Sequence, residues 1–345
     1  TLFRSPEMPS QSQATPATAL ANILSRFQLG ESGHRKSEPP VSDSYWPPLW
    51  AEMVRQDQHF RDLVMTRGAQ VAATSQHVAR MTTFQVDRLL RLTRQLQMVD
   101  ADASRINEHT LHLAVSLLYD FTSLQTKLDP ELAEIACMKL AESMHEVSNE
   151  YYKRERCDTF ARTPQVQGRW SREDILRAES VVFQRLQARL HRPTAAWFLH
   201  SSLAVGECDP HVRTLASYIN TLALYDPNMQ EQPAALRAQV SLLLAVYSAS
   251  RNSLPSQTSC GECMETSCWN QVRTATCWSN SKESVMPVFT RMCHLLTTER
   301  FHLEAQGLTA AVDQRYSTVA RNLPTRFPSE LATELLLPSL QHCLQ

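Results

Sequence analysis

Thr110-Leu-His-Leu-Ala-Val-Ser-Leu-Leu-Tyr-Asp-Phe121 decides the fold of this chain. Leu111, Ala114, Val115, Leu118 and Phe121 recur at three- and four-residue steps, so one apolar stripe faces a core while Ser116 and Asp120 point elsewhere. A second run repeats the period: Ile175, Ala178, Val182, Leu186 and Leu190 are followed by Pro193, which forbids continuation, and Thr194, whose hydroxyl can cap the next helix. That next helix carries Phe198. Both stretches predict amphipathic helices packed on a shared core.

Composition points the same way. Only 7 glycines occur in 345 residues, far below the average usage of roughly 7%, and sheets with tight turns and phosphate-cradling loops need glycine. Long apolar periods with short Pro, Asn and Asp punctuation favour an all-α protein. At 39.2 kDa the chain is long enough for two domains, each with its own core. The net charge of -1 gives no basic face of the kind a nucleic-acid binder uses to release counterions. No apolar run approaches eighteen residues and no charged-then-apolar leader opens the sequence, so the expectation is no membrane insertion, no secretion, and a place in the nucleus or cytoplasm. Nine cysteines, an odd number, include Cys137, Cys157, Cys208 and Cys293 in helical context and fit reduced thiols better than a disulfide framework.

Residues 1–43 are rich in Pro, Ser, Gln and Thr and read as a disordered tail. It holds Arg26-Phe-Gln-Leu29, the minimal pattern of a destruction box without the usual downstream Asn, and the dipeptides Ser5-Pro6 and Thr15-Pro16, which serve as turn punctuation or as targets of proline-directed kinases. Helices are expected over Tyr45 to Asp62, Thr82 to Gln97, Glu108 to Thr122, Pro130 to Tyr151 and Ser171 to His191, with a solvated loop from Lys153 to Arg169. Beyond Pro193, apolar periods run through Val212, Leu215, Ala216 and Ile219, then Leu236, Val240, Leu243, Leu244 and Tyr247. Ser281-Lys-Glu-Ser-Val-Met-Pro-Val-Phe-Thr-Arg-Met-Cys-His-Leu-Leu296 supplies a last helix.

The order and spacing of Leu113-Ala-Val115, Leu140-Ala141 with Glu146, Glu179 with Leu190, and Pro193-Thr194 with Phe198-Leu199 resemble those of a two-box cyclin of A, B or O type. The resemblance covers roughly residues 45–300. It implies tandem five-helix boxes preceded by an N-terminal helix: tail 1–43, N-terminal helix and first box 44–192, second box 193–302, C-terminal extension 303–345. It further implies a non-catalytic regulatory subunit that binds and activates a cyclin-dependent Ser/Thr protein kinase in cell-cycle or meiotic control, without a cofactor, with nucleic acid and membrane excluded as partners and other proteins admitted.

Several positions depart from the family pattern. Met81-Thr-Thr-Phe-Gln-Val-Asp-Arg88 matches the family's Met-Arg helix with Thr82 in place of arginine, and that arginine's usual aspartate partner falls on Tyr119. Loss of both members of a buried pair is far cheaper than loss of one. The patch that docks substrate arginine-x-leucine peptides in A-type cyclins becomes Met81, Phe84, Gln85 and Arg88, where a cation should repel the arriving arginine. The kinase-binding set that the resemblance implies is Leu132, Lys139, Ser143, Glu146 and Glu179; Ser143 stands where the family has lysine, and Lys139 lies one turn earlier on the same face.

Two further signals compete with bland readings. Cys260-Gly-Glu-Cys263 with Cys268 and Cys277 offers four thiolates to a zinc ion, or is a polar loop inserted in the second half. His112, His200 and His294 fall in helical stretches as satisfied or solvated side chains, and no catalytic signature is present. The rival functional readings are a kinase-independent scaffold on the same fold and, disfavoured by the charge, a DNA-binding tandem cyclin fold.

Overall fold

The computed structural model describes residues 46–74, 81–99, 107–124, 127–145, 157–205, 208–252 and 282–317, and all regular structure among them is helical. The chain divides into two compact units, Thr1–Glu52 and Met53–Gln345. The described part of the first, residues 46–52, opens helix α1 (Trp46–Thr74). The second unit carries the rest of α1 and every feature below.

Four helices of this second unit follow α1: α2 (Thr83–Val99), α3 (Glu108–Ser123), α4 (Pro130–His145) and α5 (Arg172–Arg185). Each begins where a short polar side chain satisfies backbone N–H groups that have no partner inside the helix. Asn107 accepts from the Thr110 N–H at 3.1 Å, Asp129 accepts from Glu131 and Leu132 at 2.9 and 3.2 Å, and Ser171 forms a reciprocal capping box with Asp174. Further along the chain are α6 (Ala195–Val205), α7 (Pro210–Leu222), a 3-10 turn at Ala223–Tyr225, α8 (Pro227–Gln230), α9 (Ala234–Asn252), α10 (Lys282–His294), α11 (Arg300–Ala305) and α12 (Ala310–Arg315). Thr194 caps α6 as its sequence position predicts, accepting from the Trp197 N–H at 3.2 Å.

Two helices organise the packing. Every residue of α4 from Leu132 to Glu142 is buried, with α2, α3 and α5 against it. Every residue of α9 from Ala234 to Val246 is likewise buried, among α6, α7 and α10. A helix buried on all sides sits at the centre of its cluster rather than on its flank. The two clusters meet through α3, which touches α6 and α8, and through α2, which touches the 3-10 turn and α12.

Three expectations need correction. The helix expected over Ser171 to His191 stops at Arg185: Gln187 and Ala188 adopt left-handed φ of 55° and 56°, the Ala188 N–H bonds to Phe183 O and the Gln187 N–H to Gln184 O, both at 3.0 Å. This is the hydrogen-bond pattern of a helix terminator that usually carries glycine. Leu186 and Leu190 are nonetheless buried, so their spacing matches a helix that the backbone does not continue. The segment expected as a solvated loop from Lys153 to Arg169 is helical at 157–162 and buries Cys157, Phe160, Thr163 and Val166. The helix expected to end near Asp62 runs on to Thr74.

Helix α10 continues through a π-helical turn at Leu295–Glu299 into α11. Gly307, at φ 71°, ends α11 with the same hydrogen-bond pattern as Gln187 ends α5, here with the residue that favours it. Helix α12 then lies on α2 and α7. Arg300 donates to the Tyr218 hydroxyl at 2.9 Å, and that hydroxyl donates to Asp313 at 2.9 Å, so the extension after residue 303 is fastened to α7. The tail with Arg26, Leu29, Ser5 and Thr15, the residue Glu146, and Cys260, Cys263, Cys268 and Cys277 lie outside the described residues. Among the described residues, no group of His, Cys, Asp and Glu is placed to hold a metal, and no helix is long and apolar enough to cross a membrane.

If residues 157–166 are core, Phe160→Ala should cost about 3 to 5 kcal/mol in urea unfolding. Gln167→Ala, at an exposed neighbour, should stay within about 0.5 kcal/mol of the parent. Equal, small effects at both positions would restore the solvated-loop reading.

Candidate functional site

Helices α4 and α5 bring together two of the five residues of the expected partner-binding set. The Lys139 ammonium forms an ion pair with the Glu179 carboxylate; the lysine side chain is 5% exposed and the glutamate 21%. Cys157 lies beside them, its thiol pushed up by burial and drawn back by the Lys139 ammonium. Leu132 is two turns before Lys139 on the same face of α4 and is buried. Ser143, one turn after Lys139, is half-buried and uncharged, so the cation that meets Glu179 comes from Lys139. Side chains on a helix lean toward its N-terminus, and Lys139 so placed still reaches Glu179 of the neighbouring helix.

On α5, Leu176 and Phe183 lie three residues before and four residues after Glu179 and are 38% and 42% exposed. Ile175, Ala178 and Val182 bury the opposite stripe. The outer face of α5 therefore presents two large apolar side chains flanking a carboxylate that a buried lysine holds in place. It can bind a protein surface that offers an apolar groove and a hydrogen-bond donor.

The four expected docking-patch residues do not form one surface. Met81 and Gln85 are buried, whereas Phe84 is 56% exposed. Thr82 and Gln85 make a capping box at the start of α2: the Gln85 side-chain oxygen accepts from the Thr82 N–H at 2.9 Å and the Thr82 hydroxyl accepts from the Gln85 N–H at 3.4 Å. Arg88 is not a free cation. It donates twice to the fully buried Glu134, at 2.8 and 2.6 Å, and lies 3.7 Å from Glu131, which Arg169 also approaches at 2.5 Å. Burial raises the Glu134 carboxyl, and the Arg88 guanidinium opposes that shift. Tyr119, the other altered position, donates to Glu231 at 3.3 Å, while its neighbour Asp120 pairs with Arg192.

Sequence reasoning missed a polar hub at the junction of the two clusters. Glu108, the first residue of α3, is buried and takes three partners from distant elements: His200 Nε2 of α6 at 2.6 Å, the Thr221 hydroxyl of α7 at 3.0 Å and the Tyr316 hydroxyl after α12 at 2.6 Å. Burial pushes the Glu108 carboxyl up, but the hydrogen bond and charge of His200 together with the Tyr316 hydroxyl hold it well below the usual carboxylate range. One turn along α3, burial pushes the His112 imidazole down to about 3, and its Nε2 has no hydrogen-bond partner. The only local signal for this hub is an acidic residue in the first turn of an amphipathic helix, which is also what any exposed helix start shows.

No family model matches this chain, and no curated protein matches it.

Both hub residues bind fewer protons in the native protein than in the unfolded chain once the pH drops. His112 is neutral down to about 3 when folded and protonates near 6.5 when unfolded, so stability should fall with pH across that window, by at most about 1.4 kcal/mol per unit. Glu108 adds a loss below its unfolded value near 4.5. We expect His112→Leu to flatten the stability profile between pH 6.5 and 4.5, and Glu108→Gln to cost about 3 to 5 kcal/mol at pH 7 by leaving buried partners uncompensated. Chemical unfolding at a series of pH values measures both, and an unaltered profile for His112→Leu would contradict the assignment.

Proposed function

We propose that this chain is a divergent cyclin: a regulatory subunit that docks a cyclin-dependent Ser/Thr kinase on the α4–α5 face and holds it active. The observation that carries the proposal is the Lys139–Glu179 pair framed by exposed Leu176 and Phe183. Glu179 is the glutamate that the sequence resemblance assigns to the kinase interface, and a lysine from the neighbouring helix orients it. Two helical clusters, each around a helix buried on all sides, support the tandem-box reading.

In that arrangement Leu176 and Phe183 would pack on the kinase helix that bears its catalytic glutamate, and Glu179 would fix the register. The kinase's own Lys-Glu pair would thereby stay closed, the condition for phosphoryl transfer. The second reading, a scaffold that binds some other protein through the same face, is favoured by the burial of Lys139, which commits its charge within the chain instead of offering it to a partner.

Replacing both Leu176 and Phe183 with Asp separates the readings from simple misfolding, because both side chains already face solvent. We expect the double variant to melt close to the parent and to lose the co-purifying kinase activity by tenfold or more, with Glu179→Ala intermediate. Kinase activity retained at the parent level in the double variant would remove this face from the account; loss of a different partner with no kinase in the parent would select the scaffold.

A further inference from the structure

Away from the α4–α5 face, a cleft of about 260 Å³ opens between α1, α3, the 192–193 join and the start of α9. Three guanidinium groups line it: Arg61 of α1, Arg192 of the join and Arg237 of α9. Arg237 is 5% exposed, and the Arg192 side chain 10%. Protein acceptors use only part of their donor capacity. Arg237 donates through Nη1 to Gln230 at 2.8 Å, Arg192 pairs through Nη1 with Asp120 at 2.5 Å, and Arg61, 3.7 Å from Asp57, donates through Nη2 to the Gln58 side-chain oxygen and through Nη1 to the Glu231 carbonyl at 3.5 Å. The Nε of each of the three arginines, and the Nη2 of Arg192, are buried without a hydrogen-bond acceptor. Buried donors of a charged group are seldom left so, because each carries its full desolvation cost.

The carboxylates of the cleft do not meet this demand. Asp57 accepts from the Ala234 N–H at 2.9 Å, at the start of α9, and Asp120 is taken by Arg192. Asp62 and Glu231 are exposed at the rim, where water screens them. Three arginines thus face four carboxylates around the cleft, two of the carboxylates at its exposed rim, and inside it guanidinium N–H groups are left without acceptors. Guanidinium forks match oxyanions in shape as well as charge.

We infer that this cleft binds a phosphate monoester, whose three terminal oxygens would be shared among Arg61, Arg192 and Arg237. Nothing in the proposed kinase contact requires it, since its residues lie on α1, α3, the join and α9 and not on the outer face of α5. The phosphate can come from a small molecule or from a phosphorylated side chain, and the two sources differ in whether flanking peptide contributes.

The test uses the full chain at fixed ionic strength, with inorganic phosphate and a phosphoserine hexapeptide titrated by calorimetry, and the unphosphorylated hexapeptide as control. The site predicts one-to-one saturable binding, weakened about tenfold or more by Arg61→Gln and by Arg192→Gln. Arg61 is 26% exposed, so its replacement leaves the interior in place if Arg192→Gln should fail to fold. Tighter binding of the hexapeptide than of phosphate identifies a phosphorylated chain as the source; equal or weaker binding identifies a small phosphate compound. Absence of saturable binding by both probes, or binding unmoved by the substitutions in folded protein, overturns the inference.

Discussion

A carboxylate at the first turn of α3 is the constraint on which the arrangement of this molecule depends. Glu108 cannot remain ionised in the interior without partners, and its partners come from residues 200, 221 and 316. To satisfy one charge, the chain must bring α6, α7 and the segment after α12 to the start of α3. Any movement of the two clusters apart would expose or orphan that charge, so the junction is tied by chemistry as well as by apolar contact. The neighbouring contact of Tyr225 with Asp87, at 3.1 Å, repeats the device between the 3-10 turn and α2.

The consequence for function is positional. Fixing α3 fixes α4, which packs along it, and α4 in turn supplies the lysine that orients Glu179. The outer face of α5 thus presents two apolar side chains and one carboxylate, the carboxylate held from behind by Lys139. On another side of α3, the Asp120–Arg192 pair closes one wall of the arginine-lined cleft. One helix therefore stands behind the outer face of α5 through α4 and forms part of the cleft directly.

What was legible in the sequence was what a local rule encodes. The proline stop at Pro193 and the hydroxyl cap at Thr194 appear in the structure, and Leu111, Ala114, Val115, Leu118 and Phe121 are all buried, because each depends on residues within one or two turns; the burial of Asp120, on the face expected to point elsewhere, depends instead on the distant Arg192. The end of α5 was hidden because Gln187 and Ala188 occupy backbone positions that usually announce themselves with glycine. Thr82 and Gln85 satisfy a local capping rule, threonine followed three residues later by glutamine. The burial around Phe160 was obscured by the charged residues that precede it in sequence. The Glu108 hub was beyond reach for a different reason: its partners are 92, 113 and 208 residues away, and no local period encodes such pairings. Of the expected partner-binding set, sequence spacing placed Leu132 and Lys139 on one face of α4, but only the packing of α4 on α5 could show that Lys139 meets Glu179.

The central claim is that this fold serves as a kinase regulator. The most direct measurement is affinity purification of the tagged wild-type chain from its native cells, with the eluate identified by mass spectrometry and assayed for Ser/Thr phosphorylation. The account predicts a stoichiometric cyclin-dependent kinase with activity in that eluate. An eluate without kinase protein or kinase activity, dominated by other proteins in fixed proportion to the chain, would contradict it.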